Sequence, residues 1–248
     1  MTTMTAATTA TAGAREAVPA GTAAGAVSGA AFSDVDETLI HMKSMFRFLA
    51  FHLRRRGEPP ATYERLADGL RAAARRGEPR EQVNRRYYRL LAGEPVGLLE
   101  RSGRSWFAHE QAQPGGPYVP EVARELRAHR AAGRSVVLLS GSFFACLQPV
   151  AEDIGADHAL GSRPVVRRGL LTGEVLVPMI GAAKGRAVEL SAALRGFDLA
   201  ACSGYGDHSS DLPLLGAVGR PVAVGDDPEL AAHARRHGWR RLASGGRA

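Results

Sequence analysis

Residues 30–38, AAFSDVDET, decide the fold of this chain, because an apolar run passes directly into two closely spaced carboxylates. Residues 27–33 are predicted to form a short strand that ends at Asp34. Reactive side chains gather at the carboxyl ends of strands in open α/β sheets. Asp34 and Asp36 are therefore predicted to lie at the functional edge of a sheet.

Helix and strand patterns alternate from Pro120 to the end of the chain. Residues 135–139 are apolar on both faces, which is typical of a buried parallel strand. Further strands are predicted at 199–205, 221–224 and 239–242, a hairpin at 164–177, and helices at 120–132, 143–154, 183–194, 210–215 and 227–237. The alternation predicts an α/β fold with a Rossmann-like, mostly parallel sheet.

Residues 41–113 differ, with little strand pattern and many helix formers. Helices are predicted from Met45 to Leu53 and at 63–74, 80–91 and 96–108. We expect this block, called the helical insert below, to be an all-helical cap on a core formed by residues 28–40 and 114–248. Residues 1–27 are a low-complexity Ala/Thr/Gly tail, which is expected to be disordered.

Composition excludes several classes of protein. The 248 residues are 45% hydrophobic and 23% charged, as in globular proteins. No apolar run approaches the roughly 20 residues of a membrane span, and no secretory signal is recognisable, so a cytoplasmic location without a membrane partner is expected. The net charge is +7, but 30 of the 32 basic residues are arginine, which indicates a compositional bias rather than a nucleic-acid partner. Cys146 and Cys202 lack CxxC spacing and predict reduced thiols.

Polar residues follow each predicted strand. Ser140-Gly141-Ser142 follows the second strand, Lys184 opens a later helix, and the stretch 206–211, GDHSSD, follows the next strand. Crowded carboxylates repel one another unless a cation offsets them, and few carboxylates with several waters suit Mg²⁺. A carboxylate beside Mg²⁺ and lysine can attack a phosphoryl group and form an aspartyl-phosphate.

The ordered set DxDxT, strand plus serine, lysine and GDxxxD resembles the haloacid dehalogenase (HAD) superfamily of phosphatases. The helical insert after the first motif, together with the LLSGS and GDHSSDLPLL segments, resembles the phosphoserine phosphatase-like branch. Each motif alone also fits an ordinary surface turn or helix cap. The resemblance covers residues 28–245 and implies a HAD fold.

The resemblance also implies roles for individual residues. Asp34 would be the nucleophile, Asp36 the general acid and base, and Lys184 the cation that neutralises Asp34 and phosphate. Ser140 and the Gly141 amide would bind phosphate, and Thr38 would belong to the same phosphate-binding group and support the motif turn. The implied Mg²⁺ site comprises Asp34, Asp36 through its backbone carbonyl, Asp207 and Asp211.

Departures from the family pattern concern the substrate. Lys43 stands where phosphoserine phosphatases carry a glutamate for the substrate ammonium. A lysine there would favour an additional anionic group on the substrate and make phosphoserine a poor substrate, although Lys43 can also be an ordinary surface lysine. Ser142 stands where a second glycine is common, Glu37 replaces a small residue, and Ser210 replaces an asparagine.

The expected function is Mg²⁺-dependent hydrolysis of a small phosphorylated metabolite through a phospho-Asp34 intermediate. A phosphotransferase or mutase would use the same chemistry with another acceptor. A non-catalytic HAD-like binding module is a third possibility, and a nucleic-acid phosphatase is suggested only by the basic pI. Candidate substrate contacts in the helical insert are Lys43, Phe46, Arg47, Arg85, Arg86, Arg89 and the segment 106–109.

Overall fold

The computed structural model describes residues 29–244, so the predicted disordered tail lies outside the described residues. A six-stranded parallel sheet has the order β3-β2-β1-β6-β7-β8. Its strands are β1 (Ala30–Asp34), β2 (Ser135–Ser140), β3 (His158–Gly161), β6 (Ser203–Gly206), β7 (Arg220–Val224) and β8 (Arg240–Leu242). The predicted α/β fold with a mostly parallel sheet is confirmed.

Strand β1 lies between β2 and β6 and is buried along its whole length. Successive side chains of a strand point to opposite faces, so Ala31 and Phe32 enter two different apolar clusters. Asp34 pairs in register with Leu139, one residue before the end of β2. Both strands therefore deliver their following loops to one edge of the sheet.

Helices cover both faces of the sheet. The helices after the helical insert are α5 (Pro120–Ala131), α6 (Phe144–Ile154), α7 (Ala182–Arg195), α8 (Leu212–Gly216) and α9 (Pro228–His237). Helices α5 and α6 contribute to the cluster that contains Ala31, and α7, α8 and α9 contribute to the cluster that contains Phe32. Among the described residues, no helix combines the length and the apolar character that crossing a membrane requires.

The helical insert contains α1 (Ser44–Arg55), α2 (Pro60–Arg75), α3 (Arg80–Arg89) and α4 (Val96–Gln111). Its apolar side chains join the same cluster as one face of the sheet. Phe48 of α1 packs edge-to-face against Trp106 of α4 and Phe143 before α6. Helices α4 and α6 cross so closely that a Cβ on Gly103 would lie 1.8 Å from the carbonyl oxygen of Ala145.

A hairpin outside the main sheet holds the helical insert from a second side. Strands β4 (Pro164–Arg167) and β5 (Leu170–Val175) pair antiparallel, as the sequence predicts. The Gly93 N–H donates to Leu171 O at 2.8 Å, and the Leu171 N–H donates to Glu94 O at 2.9 Å. The turn between α3 and α4 is therefore joined to the hairpin by backbone hydrogen bonds.

Two predictions about strands were wrong. Strand β3 was missed, because His158–Gly161 is a short edge segment that is only partly buried and lacks a clear apolar pattern. Residues 199–205 were predicted to be one strand, but Leu199–Ala201 forms a 3₁₀ turn and the strand begins at Ser203. Asp198 accepts a hydrogen bond from the Ala200 N–H and so favours the turn over an extended backbone.

Candidate active site

The structure brings most of the predicted site residues to the carboxyl edge of the sheet. Asp34 ends β1, Ser140 ends β2, and Asp207 directly follows β6. Lys184 lies in the first turn of α7, and Asp211 ends the 3₁₀ turn that leads into α8. Their convergence follows from the parallel order of β2, β1 and β6.

Lys184 links two carboxylates in the buried centre of the site. Its Nζ lies 2.7 Å from Asp34 Oδ1 and 2.6 Å from Asp211 Oδ1. Burial alone would lower the pKa of Lys184, but the charges of Asp211 and Asp34 outweigh it and raise the pKa above the usual value. Burial raises the pKa of Asp34, and the adjacent Lys184 ammonium opposes that shift. Lys184 is therefore a permanently charged ammonium beside the predicted nucleophile.

Three carboxylates form a candidate metal centre. Asp34, Asp207 and Asp211 each offer an oxygen, and these oxygens lie within 4.8 Å of one another. Burial and the charges of Asp34 and Asp211 raise the pKa of Asp207 to about 9. One ammonium cannot neutralise three carboxylates, and clustered carboxylate oxygens are the ligands that a hard divalent cation prefers. The donor set therefore fits Mg²⁺.

The loop after β6 brings the Gly206 backbone very close to the Asp211 side chain. A Cβ on Gly206 would lie 2.6 Å from the Cβ of Asp211, so a larger residue would displace that carboxylate. The His208 N–H donates to Asp211 Oδ2 at 3.3 Å, which fixes the other side of the carboxylate. Thr38 is fully buried, does not line the cavity, and donates to Asp207 Oδ1 at 2.9 Å. It orients a candidate metal ligand instead of facing the position of a substrate.

Asp36 lines the cavity beside Asp34 but lies outside the cluster of three carboxylates. Its Oδ1 is buried and has no hydrogen-bond partner among the described residues. Burial raises the pKa of Asp36 to about 7, while hydrogen bonding by Ser44 opposes the shift. A carboxyl group with this pKa can both hold and release a proton near neutral pH.

The loop after β2 is held by residues that the sequence patterns did not single out. The Gly141 carbonyl accepts from Asn84 Nδ2 at 2.8 Å, Ser162 Oγ at 2.7 Å and Tyr88 Oη at 3.2 Å. The Ser142 N–H donates to Ser140 Oγ at 3.0 Å. A lone asparagine on the buried face of an arginine-rich helix is the one sequence signal that could have revealed Asn84.

The site opens into a cavity of about 600 Å³ between the sheet edge and the helical insert. Asp34, Asp36, Ser140, Gly141 and Lys184 line it, together with apolar side chains of the helical insert. Those apolar side chains are Met42, Met45, Phe46, Leu70, Val83 and Tyr87. A larger cavity of about 820 Å³ lies at the opposite edge of the sheet, but none of the predicted site residues lines it.

Cations around the cavity differ in their partners. Lys43 Nζ lies 3.2 Å from Glu37 Oε2, and the Arg47 guanidinium makes two hydrogen bonds to the buried Glu110. Arg80, at the start of α3, also lines the cavity and has no carboxylate within 4.0 Å among residues 29–244. Arg80 is not among the residues predicted from the sequence, because nothing in the pattern of α3 separates it from its neighbouring arginines.

The other candidate contacts of the helical insert do not line this cavity. The Arg85 guanidinium donates to the Val175 carbonyl, and Arg86 pairs with Glu78. Arg89 lines a separate, smaller cavity near the hairpin. Trp106 and Phe107 are buried in the apolar cluster. Among the candidate contacts predicted in this block, Lys43, Phe46 and Arg47 therefore line the cavity.

A family model of haloacid dehalogenase-like hydrolases matches residues 31–216. The match covers most of the chain and includes every element that carries the candidate site. The chain belongs to the haloacid dehalogenase-like hydrolase family.

Several curated relatives of this chain have names that include the word phosphatase. A probable phosphatase from Mycobacterium tuberculosis H37Rv is 32% identical over 89% of this chain and 77% of its own length. A phosphoserine phosphatase of the same organism is 28% identical over 86% of this chain and 70% of its own length. An "inhibition of morphological differentiation protein" from Streptomyces azureus is 40% identical over 120 residues. The matched stretch is 48% of this chain and 43% of the length of the Streptomyces protein.

Solved structures agree on the fold. A protein with unknown function from Bordetella pertussis Tohama I has a TM-score of 0.77 and 28% identity, covering 88% of this chain and 99% of its own. A phospho-aspartyl intermediate analogue of phosphoserine phosphatase has a TM-score of 0.64 at 20% identity. The match covers 88% of this chain and 93% of that structure's chain. The predicted phosphoserine phosphatase-like hydrolase of phosphoric monoesters is thereby confirmed at the level of family and enzyme class.

Proposed function

We propose that this hydrolase is a Mg²⁺-dependent phosphatase that cleaves a small phosphomonoester through a phosphoryl-Asp34 intermediate. The observation that carries the proposal is the ammonium of Lys184 held between Asp34 and Asp211, beside a third carboxylate of the same cluster. This arrangement places the carboxylate of Asp34 next to a positive charge that favours its ionised form, which a carboxylate nucleophile for a phosphoryl group requires.

In the first step, an Asp34 oxygen attacks phosphorus and the bond between phosphorus and the ester oxygen breaks. The departing oxygen takes the electron pair and receives the proton of Asp36, so the product leaves as a neutral alcohol. Asp36 lines the cavity and has an unpartnered buried oxygen, which supports this role. Lys184, Ser140 and the Gly141 amide would hold the phosphoryl oxygens.

In the second step, Asp36 is a carboxylate and removes a proton from a water molecule. The water oxygen attacks phosphorus, the bond between phosphorus and Asp34 breaks, and inorganic phosphate leaves while Asp36 keeps the proton. Mg²⁺, held by Asp34, Asp207, Asp211 and the Asp36 carbonyl, would supply charge stabilisation to the phosphoryl oxygens. Thr38 would orient Asp207 for this purpose.

The substrate is proposed to be a small metabolite with an additional anionic group. A cavity of about 600 Å³ beneath the helical insert suits a small molecule, and its apolar wall suits a leaving group with an apolar part. Lys43 lines the cavity beside Glu37, so its charge is partly compensated there, whereas Arg80 offers an uncompensated guanidinium. Neither lysine nor arginine attracts an ammonium, so phosphoserine remains a poor candidate even though relatives are named phosphoserine phosphatases. A cytoplasmic location belongs to the same proposal.

The test is phosphate release from a panel of small phosphomonoesters, with Mg²⁺ and with EDTA. We expect release by the wild type with Mg²⁺ only, and none by Asp34→Asn. Asp226→Asn is the matched control, because this carboxylate follows β7 at the same edge but is exposed and outside the cluster. Phosphate that appears on an added alcohol instead of in solution would indicate a phosphotransferase. Tight ligand binding without turnover of any compound would indicate a binding module.

A further inference from the structure

One peptide group at the candidate site, between Gly141 and Ser142, is held at both of its ends. Three side-chain donors converge on its carbonyl oxygen, which are Asn84 Nδ2 at 2.8 Å, Ser162 Oγ at 2.7 Å and Tyr88 Oη at 3.2 Å. Its N–H, which belongs to Ser142, donates to Ser140 Oγ at 3.0 Å. A peptide group is planar and rigid, so donors that fix the carbonyl also fix the direction of the N–H.

The N–H of this peptide group decides what the Ser140 hydroxyl can do. A hydroxyl has one proton to donate and two lone pairs that accept. Because the Ser142 N–H occupies one lone pair, the proton of Ser140 remains free to donate to a phosphoryl oxygen. If the peptide group turned over, its carbonyl would face Ser140 and take that proton instead. Ser140 would then present a lone pair, which repels a phosphoryl oxygen.

Gly141 leaves the backbone free to make such a reversal, which changes ψ of Gly141 and φ of Ser142. Without a Cβ, glycine adopts a wider range of backbone torsions than other residues. A Cβ at this position would lie 3.1 Å from Ile180 Cγ1, so the loop leaves little room for a larger residue. The orientation of the peptide group is therefore set by its hydrogen bonds and not by a side chain at position 141.

Two of the three donors come from the helical insert. Asn84 and Tyr88 are four residues apart on α3, so they lie on one face of that helix. The third donor, Ser162, lies in the core between β3 and β4. The orientation of residues 140–142, the phosphate loop, therefore depends on α3 being in place against the sheet edge.

Asn84 is the only asparagine in the 248 residues. Asparagine is among the weaker helix formers, yet Asn84 lies inside α3 and is only 7% exposed. A buried amide is costly unless it is hydrogen-bonded. Its other polar contacts are longer, to Ser162 Oγ at 3.4 Å and Met45 Sδ at 3.7 Å. The short bond to the Gly141 carbonyl is therefore the structural reason for an asparagine at this position.

We propose that Asn84 and Tyr88 are positioning residues that lock the peptide group between Gly141 and Ser142. The lock keeps the Ser140 hydroxyl proton available for the phosphoryl group and couples the phosphate loop to the position of the helical insert. This inference rests on the proposed function, since it assumes that Ser140 binds a phosphoryl oxygen. Both residues act through the loop and do not themselves touch the reacting atoms.

Inorganic phosphate is the probe, because it has no leaving group and reports only on the phosphate site. We expect Asn84→Leu, which has a similar shape but no donor, to weaken phosphate binding about five- to tenfold in calorimetry with Mg²⁺, the effect of one hydrogen bond. Tyr88→Phe removes the longest of the three bonds and should weaken binding about two- to threefold. Tyr88 does not line the cavity, so its effect cannot come from a lost substrate contact. The kcat/KM values of esters with different leaving groups should fall by the same factors.

A double-mutant cycle tests whether the two residues act through Ser140. Ser140→Ala removes the hydroxyl that the loop orients, so Asn84→Leu and Tyr88→Phe should weaken phosphate binding no further in that background. A merely structural role would give additive losses. Ser102→Ala is the matched control, since Ser102 is also buried in the helical insert but is bonded to His52 and does not line the cavity. Its phosphate affinity should equal that of the wild type.

Each outcome decides the inference. Unchanged phosphate affinity in both variants, or additive losses beside Ser140→Ala, would overturn it. So would a loss in Asn84→Leu that varies with the leaving group while phosphate affinity is kept, because Asn84 would then be a substrate contact. If Asn84→Leu does not fold, Tyr88→Phe in both backgrounds gives the decisive comparison.

Failure of the proposed function looks different, because the wild type would then release no phosphate from any ester. Phosphate calorimetry on the wild type and the variants still decides the inference in that case. A wild type that binds no phosphate would overturn both, whereas an active wild type with unchanged variants would overturn only the inference.

Discussion

Lys184 Nζ lies 2.7 Å from Asp34 Oδ1, and both side chains are almost completely buried. This ion pair spans the sheet edge, from the end of β1 to the first turn of α7. Removal of one partner from a buried ion pair leaves the other charge without compensation, which is more costly than removal of both. Loss of either partner alone should therefore destabilise the protein and also impair the proposed chemistry.

Replacement of Lys184 by methionine should lower kcat for any phosphomonoester by at least about a hundredfold, because charge on the transferring phosphoryl group loses its nearest side-chain cation. The same variant should lose about 3–5 kcal/mol of unfolding free energy, since Asp34 and Asp211 remain buried. Urea unfolding and initial rates measure the two effects. Lys184→Arg keeps the charge but has a different geometry, so it should recover stability better than activity. A fully active methionine variant would contradict the role given to Lys184.

Mg²⁺ should stabilise the folded protein, because the proposed metal site is a cluster of three crowded carboxyl groups. At a hundredfold excess over its Kd the ion adds about 2.7 kcal/mol of unfolding free energy. Asp207→Asn removes a proposed Mg²⁺ ligand, so this variant should gain less stability from Mg²⁺ than the wild type does. Thermal unfolding with and without Mg²⁺ measures both effects, and Asp226→Asn should behave as the wild type. Equal Mg²⁺ stabilisation of Asp207→Asn and wild type would place the metal elsewhere.

The parts of the fold that could be predicted from the sequence are those with a strong local pattern of apolar and polar residues. β1 and β2 are continuous apolar runs between polar loops, and the four motif positions after the strands converge because parallel order requires it. The edge strand β3 has no such pattern, because backbone pairing with β2 and not burial defines it. Its assignment needs the tertiary structure.

The candidate site was predictable to the extent that motif order defines it. The sequence could not reveal that Lys43 pairs with Glu37, since the bend between them is created by Glu37 in a left-handed conformation with φ of 61°. Nor could it reveal that Asn84 reaches Gly141, because that contact joins the helical insert to the sheet edge across 57 residues of sequence. Long-range contacts of this kind depend on how the helices pack.

Gly103→Ala should destabilise the protein, because the added methyl group would lie 1.8 Å from the Ala145 carbonyl oxygen at the crossing of α4 and α6. We expect a loss of about 1–3 kcal/mol or more of unfolding free energy, as for overpacked interiors. Gly69→Ala in α2 is the matched control, since nothing lies within 4 Å of the new Cβ. That variant should gain up to about 1 kcal/mol from the higher helix propensity of alanine. Urea denaturation measures both changes, and similar values for the two variants would contradict the close crossing.

Arg80→Gln should weaken binding of an anionic substrate more than Lys43→Gln does. Lys43 already has Glu37 as a partner, whereas Arg80 has no carboxylate partner within residues 29–244. For a phosphomonoester with a carboxylate on its leaving group, we expect about a tenfold increase in KM with Arg80→Gln, the effect of one charge-assisted hydrogen bond. A phosphomonoester of similar size with an uncharged leaving group should keep its KM in both variants. The control is Arg65→Gln, an exposed change on α2 outside the cavity. A larger effect of Lys43→Gln would instead restore Lys43 as the anion contact, and a Lys43→Glu variant would then shift the preference toward substrates with an ammonium group.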